Sequence, residues 1–255
     1  MNVNVTGPYI YFTIPIFGGI NVTQTMLSLL LVTLLLGIAS YLLGKNLTKR
    51  PGKMQVMTEK GVMMLYNIVK DTMGEHNVGW TPYIGTIFLS SICGSFIGLT
   101  GFFRSSPADL SVPLTWGVMT SVIIWYQSIK RNGFLGWLKG FTEPVVVMTP
   151  MNIISEIAQP VSMAFRHFGN VAGGGVLTTL IYAALALASK AIFGWLPAYL
   201  VSFVPPFLQV GIPAFLSLYF DFFSAFVQAF VFCLLTMVYV AGACPPPAEN
   251  ADANK

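Results

Sequence analysis

The chain has 255 residues, of which 55% are hydrophobic and only 9% are charged, and its mean hydropathy is +0.72. Soluble domains carry about 25% charged residues, so this composition excludes an ordinary soluble protein and indicates a protein that crosses a membrane several times. The net charge of +4 reflects basic residues clustered beside an apolar segment, which argues against nucleic-acid binding.

The first predicted membrane helix covers residues 26–43, a stretch without a charged residue. With its flanks, the stretch is long enough to cross about 30 Å of hydrocarbon. A basic cluster follows it, formed by Lys45, Lys49, Arg50 and Lys53. Because basic residues favour the cytoplasmic side, residues 1–25 are predicted to form an outer N-terminal segment.

The pattern changes after Pro51. Between residues 53 and 76, apolar side chains interleave with charged ones, which favours an amphipathic helix on the cytoplasmic membrane surface. A helix in a soluble loop is the alternative. Residues 83–103 then predict a second crossing, and residues 112–128 predict a third that ends before Lys130 and Arg131.

The longest apolar stretch, residues 150–188, predicts the fourth crossing. Its thirty-nine residues would form about 58 Å of helix, so the helix must tilt or bend, and Pro160 offers a place for a bend. Polar residues recur in it three or four positions apart, which places them on one helix face. They are Asn152, Ser155, Glu156, Gln159, Ser162, Arg166 and Asn170.

The last apolar stretch, residues 207–243, carries a second polar series formed by Ser217, Asp221, Ser224 and Gln228. Two neighbouring helices with polar faces are expected to face one another or a shared aqueous cleft. The predicted fold is therefore an all-α membrane protein with five crossings and one surface helix, whose two long tilted C-terminal helices form a hairpin. It would be a single domain, residues 1–255, with residues 244–255 as a disordered cytoplasmic tail.

Arg166 is the central residue of the first polar series. An arginine in the middle of a membrane helix costs on the order of 3 kcal/mol, so we do not expect Arg166 to face lipid. Its guanidinium cannot relay a proton, but its fixed charge favours the ionised form of a nearby carboxylate. Such a charge could displace a cation from a passing carboxylic acid. A purely structural ion pair with Asp221 or Glu156 is the alternative.

The predicted topology places polar residues on both sides of Arg166. Those that precede it in its own helix lie toward the cytoplasm, whereas Asp221, in the antiparallel last helix, lies toward the outside. This arrangement is typical of two offset half-channels separated by a positive charge. The single polar residues are also compatible with contacts between helices.

Residues 160–173, PVSMAFRHFGNVAG, resemble the arginine signature of the subunit a family of F-type ATP synthases. Residues 51–55 with Glu59, residues 106–109, and residues 228–239 resemble further motifs of that family, so the resemblance covers nearly the whole chain. It implies a bacterial plasma-membrane subunit of the Fo sector that is not itself catalytic and needs no cofactor or metal. Its partners would be the c-subunit ring, subunit b of the peripheral stalk and, indirectly, the F1 head.

The resemblance also implies roles for individual residues. Arg166 would face the c-ring and displace the ion, H⁺ or Na⁺, from each ring carboxylate, so that ion flow drives rotation and ATP synthesis. The outer path would be lined by Asp109, Asn170, Asp221, Ser224 and Gln228. The cytoplasmic path would be lined by Asn152, Ser155, Glu156, Gln159 and Ser162.

Three positions depart from the family pattern. Gly175 stands where the family usually has glutamate, and Asp221 stands where many relatives have histidine. We hypothesise that the carboxylate of the outer path has moved to the neighbouring helix. His167 replaces the usual leucine, and a packing role is favoured for it over proton relay.

Two other functions are compatible with parts of the pattern. A secondary transporter could place its substrate between Arg166 and Asp221, but such folds commonly contain internal repeats, and no repeat is evident here. A structural scaffold would leave both polar series unexplained. The chain contains no phosphate-binding loop, zinc-ligand spacing or Ser/His/Asp pattern that would indicate an enzyme.

Overall fold

The computed structural model describes residues 9–15, 19–45, 47–49, 51–100, 102–142, 145–193, 215–216, 218–244 and 246. In this part of the chain, one β-hairpin precedes six α-helices. The hairpin consists of β1 (Ile10–Ile14) and β2 (Ile20–Thr23). The helices are α1 (Gln24–Lys45), α2 (Lys53–Met73), α3 (Thr81–Phe96), α4 (Ser111–Gly140), α5 (Thr149–Phe193) and α6 (Ala225–Ala243).

Short 3₁₀ segments connect these helices at Glu75–Trp80, Ile97–Thr100, Ser106–Ala108 and Val146–Met148. A π-helix, Leu218–Ser224, leads directly into α6. The predicted helix over residues 207–243 is thus described from residue 215 onward, and its residues 207–214 and 217 lie outside the described part of the chain. Most of the predicted tail, residues 245 and 247–255, also lies outside it.

The N-terminal hairpin was not predicted from the sequence. Its strands are antiparallel, with Phe12 opposite Val22, and Gly19 lies in the connection with a positive φ of 96°. β2 continues without a break into α1, where the backbone N–H of Gln24 donates to the carbonyl of Tyr9 at 2.9 Å. The side chain of Gln24 donates to the carbonyl of Phe102 at 3.1 Å, so the hairpin is also joined to the loop after α3.

Within the described residues, four helical stretches are long and apolar enough to cross a membrane: Gln24–Lys45, Glu75–Thr100, Val146–Ser189 and Phe222–Ala243. They coincide with four of the five predicted crossings and, apart from the hairpin, agree with a helical membrane protein. α4, the other predicted crossing, is not among them. It is also longer than predicted, because it runs past Lys130 and Arg131 to Gly140, with a kink at Gly133 where φ is +71°.

α2 is the predicted amphipathic helix. Val69 and Met73 are buried against the other helices, while Lys60 and Asp71 are exposed. α2 ends at Gly74, which has φ of +84°, a backbone conformation that glycine adopts without a steric penalty.

The core lies where α6 meets α2, α3, α4 and α5. Ile84, Met163, Phe232 and Met237 are all nearly inaccessible to solvent there. α4 approaches α5 closely, since a Cβ atom placed on Gly117 would lie 2.9 Å from the carbonyl oxygen of Pro160. α5 remains helical through Pro160 and, with 45 residues, is about 68 Å long.

Candidate functional site

Arg166 lies on the exposed side of α5, which faces away from the packed core. Its side chain is exposed, whereas the next residue, His167, is 1% exposed and belongs to the core. Among the side chains that the structure describes, Arg166 has no hydrogen-bond or ion-pair partner. The alternative ion pair with Glu156 is not formed, since ten residues of helix, about 15 Å, separate the two side chains along α5, and Glu156 bonds to Trp125. The side chain of Asp221, the other proposed partner, lies outside the described part.

The exposed surface of α5 around Arg166 includes a series of small residues beside larger ones such as Val161 and Phe165. Ala158, Ser162, Gly169 and Gly173 are all exposed along α5, and no side chain or distant backbone atom lies within 4 Å of a Cβ position on either glycine. Stripes of small residues allow another helix to approach closely in a membrane. The guanidinium therefore lies on a surface that could accept a second helix.

The polar residues that precede Arg166 line an open cavity of about 520 Å³ between α4, α5 and α6, which we call the cleft. Four residues predicted for the cytoplasmic path contribute to it, namely Asn152, Ser155, Glu156 and Gln159. Ser162, the fifth, is exposed on α5 beyond the cleft lining. Glu156 accepts a hydrogen bond from the indole Nε1 of Trp125 at 2.6 Å.

The opposite wall of the cleft was missed by the sequence reasoning. It includes Ser128 and Asn132 of α4 and Tyr239 of α6. A signal was present, because the α4 residues that line the cleft recur every four positions, from Ile124 through Ser128, Asn132 and Gly136 to Gly140. That spacing marks one side of a helix, but it was obscured by Lys130 and Arg131, which were interpreted as the end of a crossing.

The residues predicted for the outer path are distributed over α5, α6, the π-helix and the turn before α4. Asn170 of α5 and Gln228 of α6 are half-buried, and Asp221 and Ser224 belong to the π-helix. Asp109 lies before α4, and its Oδ1 accepts hydrogen bonds from the backbone N–H of Ser111 at 3.2 Å and from its hydroxyl at 2.9 Å. Asp109 therefore also stabilises the start of α4.

The π-helix packs against α3 and α5. Phe222 stacks on Phe96 of α3 with ring centroids 5.0 Å apart, and the Cβ of Phe220 would lie 3.3 Å from a Cβ atom on Gly174 of α5. At the adjacent Gly175, by contrast, a Cβ atom would meet nothing within 4 Å. π-Helical turns are rare and often occur at functional sites.

His167 has a packing role in this structure. Its Nε2 lies 3.1 Å from the hydroxyl oxygen of Ser91 on α3, and its ring packs edge-on against Trp116 and Phe232. These contacts join α3, α4, α5 and α6. They are the contacts of a packing residue, which is the role favoured for His167 from the sequence.

Comparison with known proteins gives a consistent result over most of the chain. Residues 25–241 match the family model described as ATP synthase A chain. The chain is 32% identical over 239 residues to ATP synthase subunit a, sodium ion specific, of Propionigenium modestum, covering 88% of this chain and 75% of that protein. It is 30% identical over 224 residues to ATP synthase subunit a 1 of Crocosphaera subtropica, covering 87% of each. It is 31% identical over 216 residues to ATP synthase subunit a 3 of Pelobacter propionicus, covering 83% of each.

Proposed function

Because this chain belongs to the ATP synthase A chain family, as subunit a of the Fo sector, we propose that it couples transmembrane cation flow to rotation of a c-subunit ring. It would supply the stationary channels of the complex and would carry out no catalysis itself. Family membership favours this function over the secondary-transporter and scaffold alternatives. The F1 head would be a partner only indirectly, through the ring and through subunit b of the peripheral stalk.

The position of Arg166 is the observation that carries this proposal. Its charge lies on an exposed membrane-helix surface and has no partner among the described side chains. A cation of this kind is stable at membrane depth when an anionic group or water is close to it. We assign that role to the carboxylates of the c-ring, which would approach along the surface of small residues that contains Gly169 and Gly173.

The two access paths would lie on opposite sides of Arg166. The cleft containing Glu156 would be the cytoplasmic path, with Ser162 between the cleft and Arg166. Asp109, Asn170, Asp221, Ser224 and Gln228 would line the outer path. Because the fixed charge separates the two paths, an ion would have to travel on the turning ring to pass from one to the other.

α4 would be the fifth crossing, although its average apolar character is lower than that of the other four helices. The average includes positions such as Thr120 and Ser121, which are buried against the protein and do not contact lipid. The exposed face of α4 is apolar, with Val118, Met119 and Val122 all about half-exposed. Five crossings would place the N-terminus outside and the C-terminus in the cytoplasm of a bacterial cell, in a single membrane domain.

The coupling ion would be H⁺ or Na⁺. One relative, that of Propionigenium modestum, is described as sodium ion specific. The ring site that binds the ion is not part of this chain, and titrations with each ion distinguish the two.

Asp221 would supply the carboxylate that the family usually places at the position of Gly175. Two observations at Gly174 and Gly175 support this assignment. Gly174 meets Phe220 closely, which brings the two backbones together, and Gly175 has room for a side chain. The double variant Gly175→Glu with Asp221→Gly should retain ion-driven ATP synthesis, whereas Asp221→Gly alone should lose it. An assembled but inactive double variant would contradict the exchange.

Replacing Arg166 tests the proposed function as a whole. Arg166→Ala should abolish ion-driven ATP synthesis in membrane vesicles, while the purified complex retains the c-ring and the F1 head. Arg166→Lys is the matched control, since it keeps the charge but loses the planar guanidinium. Wild-type synthesis rates in Arg166→Ala would show that the charge is structural.

A further inference from the structure

The hydrogen bond between Trp125 and Glu156 distinguishes this carboxylate from the other polar groups of the cleft. A half-buried indole N–H usually finds an acceptor, but here the acceptor is a carboxylate on a neighbouring helix, at 2.6 Å. Such charge-assisted bonds are stronger than bonds between neutral groups. The bond engages Oε1 and fixes the orientation of the Glu156 side chain.

The lining of the cleft is suited to a cation. Among the described residues that line the cleft, Glu156 is the one with an acidic or basic side chain. The other described polar side chains of the lining are neutral, and oxygen atoms are offered by Ser128, Asn132, Ser155, Gln159 and Tyr239. Oxygen ligands are those that hard cations prefer. The second oxygen of Glu156, Oε2, has no hydrogen-bond partner among the described residues, so it can receive one.

The charge of Arg166 does not prevent a cation from binding at Glu156. Ten residues of helix separate the two, which corresponds to about 15 Å. Coulomb energy falls inversely with distance, so in one dielectric medium a cation about 4 Å from Glu156 is attracted about four times more strongly than Arg166 repels it. The repulsion by Arg166 exceeds the attraction by Glu156 only when the ion has moved along α5 to a point closer to Arg166.

We propose that Trp125 positions Glu156 for ion entry into the cleft, because its indole N–H holds Oε1 and leaves Oε2 to receive the cation. This inference rests on the proposed function, because it concerns the path by which ions reach the ring. Glu156 would bind the monovalent cation, hydronium or Na⁺, through Oε2 and neighbouring neutral oxygens. Trp125 does not line the cleft and acts through Glu156, so it is a positioning residue.

The test is ATP-driven ion uptake by proteoliposomes that contain the whole complex with the F1 head outward. In this direction ions enter from the side of the cleft, and their external concentration can be varied. Trp125→Phe preserves the ring and removes the N–H donor. Because a hydrogen bond to a charged group is worth about a factor of ten or more, we expect the half-saturating ion concentration to rise about tenfold, with the maximal rate unchanged.

Two further variants sharpen the measurement. Tyr126→Phe is the matched control, because it removes a polar atom from the adjacent aromatic residue, which is 62% exposed and does not line the cleft. It should leave the half-saturating concentration unchanged. Glu156→Gln removes the charge and should raise the half-saturating concentration more than Trp125→Phe does. If the complex with Trp125→Phe does not assemble, Glu156→Gln takes its place in the measurement.

Two titrations identify the ion. In one, external pH varies at fixed Na⁺, and in the other, external Na⁺ varies at fixed pH. The shift caused by Trp125→Phe should occur in the titration of the ion that the complex transports. Half-saturation equal to that of Tyr126→Phe in both titrations, or a lower maximal rate alone, would overturn the proposal. Failure of the proposed function is distinguishable, since it would appear as activity retained in Arg166→Ala.

Discussion

Replacing Gly117 with alanine is expected to separate α4 from α5 and to weaken ion-driven ATP synthesis. The added Cβ would lie 2.9 Å from the carbonyl oxygen of Pro160 and 3.4 Å from its Cα, so it would meet backbone that cannot rotate away. The contact is about 0.5 Å closer than the 3.4 Å at which ordinary van der Waals contact begins. The two helices must therefore move apart at their crossing.

A second glycine allows the size of this effect to be isolated. Gly37 of α1 has no atom within 4 Å of a Cβ position, so Gly37→Ala introduces the same methyl group without a clash. Both substitutions gain about 1 kcal/mol of helix propensity, which cancels in the comparison. The remaining difference is the cost of overpacking, typically about 1–3 kcal/mol. For a chain of this size, that corresponds to an unfolding temperature about 2–12 °C lower in Gly117→Ala than in Gly37→Ala.

The measurement is the thermal unfolding of the chain in the detergent-solubilised complex, together with ATP synthesis in vesicles. Gly117→Ala should also lower synthesis severalfold, because Glu156 lies one helical turn before Pro160 and depends on α4 for its contact with Trp125. Equal unfolding temperatures for the Gly117 and Gly37 variants would refute the reasoning. So would wild-type synthesis in a Gly117 variant whose unfolding temperature is lowered.

Further predictions concern His167 and Asp109. His167→Leu should keep ATP synthesis within about twofold of wild type and should lower the free energy of unfolding by about 1–3 kcal/mol, because the buried hydroxyl of Ser91 loses its partner. Loss of synthesis with normal stability would instead indicate proton relay. Ser91→Ala should have a similar cost, because it leaves the buried imidazole without the same hydrogen bond. Asp109→Asn should preserve the start of α4, since an amide oxygen can accept the same bonds, whereas Asp109→Ala should cost about 1 kcal/mol. A drop in ion transport shared by both Asp109 variants would support its role in the outer path, and a drop only in Asp109→Ala would reduce that role to capping.

The helices that were predicted well are those whose own residues indicate their environment. α1 and α5 consist of long apolar stretches, and the structure gives them as continuous helices close to the predicted limits. The polar series of α5 was also informative, because period alone places Asn152, Glu156 and Gln159 on one side, where the structure has the cleft.

Features that depend on other parts of the chain were not predictable in this way. α4 continues past Lys130 and Arg131 because charged side chains at exposed positions do not end a helix, and its kink arises at Gly133 from the backbone conformation. The hairpin was missed because its short, uncharged strands resemble the flank of a membrane helix. The partner of Glu156 is contributed by Trp125, thirty-one positions away, and no local pattern indicates such a contact.

The π-helix before α6 has a consequence for how this protein can tolerate changes in length. Deleting one residue from Leu218–Ser224 would convert the π-helical turn to ordinary α-helical geometry. The chain before the deletion would then be rotated by about 100° around the helix axis relative to α6. Ala225, Ala229 and Phe232 could then stay buried while the residues before α6 changed position around the helix axis. The stacking of Phe222 on Phe96 and the contact of Phe220 with Gly174 would be lost. A single deletion there would therefore separate the segment before α6 from α3 and α5 while α6 itself kept its packed face.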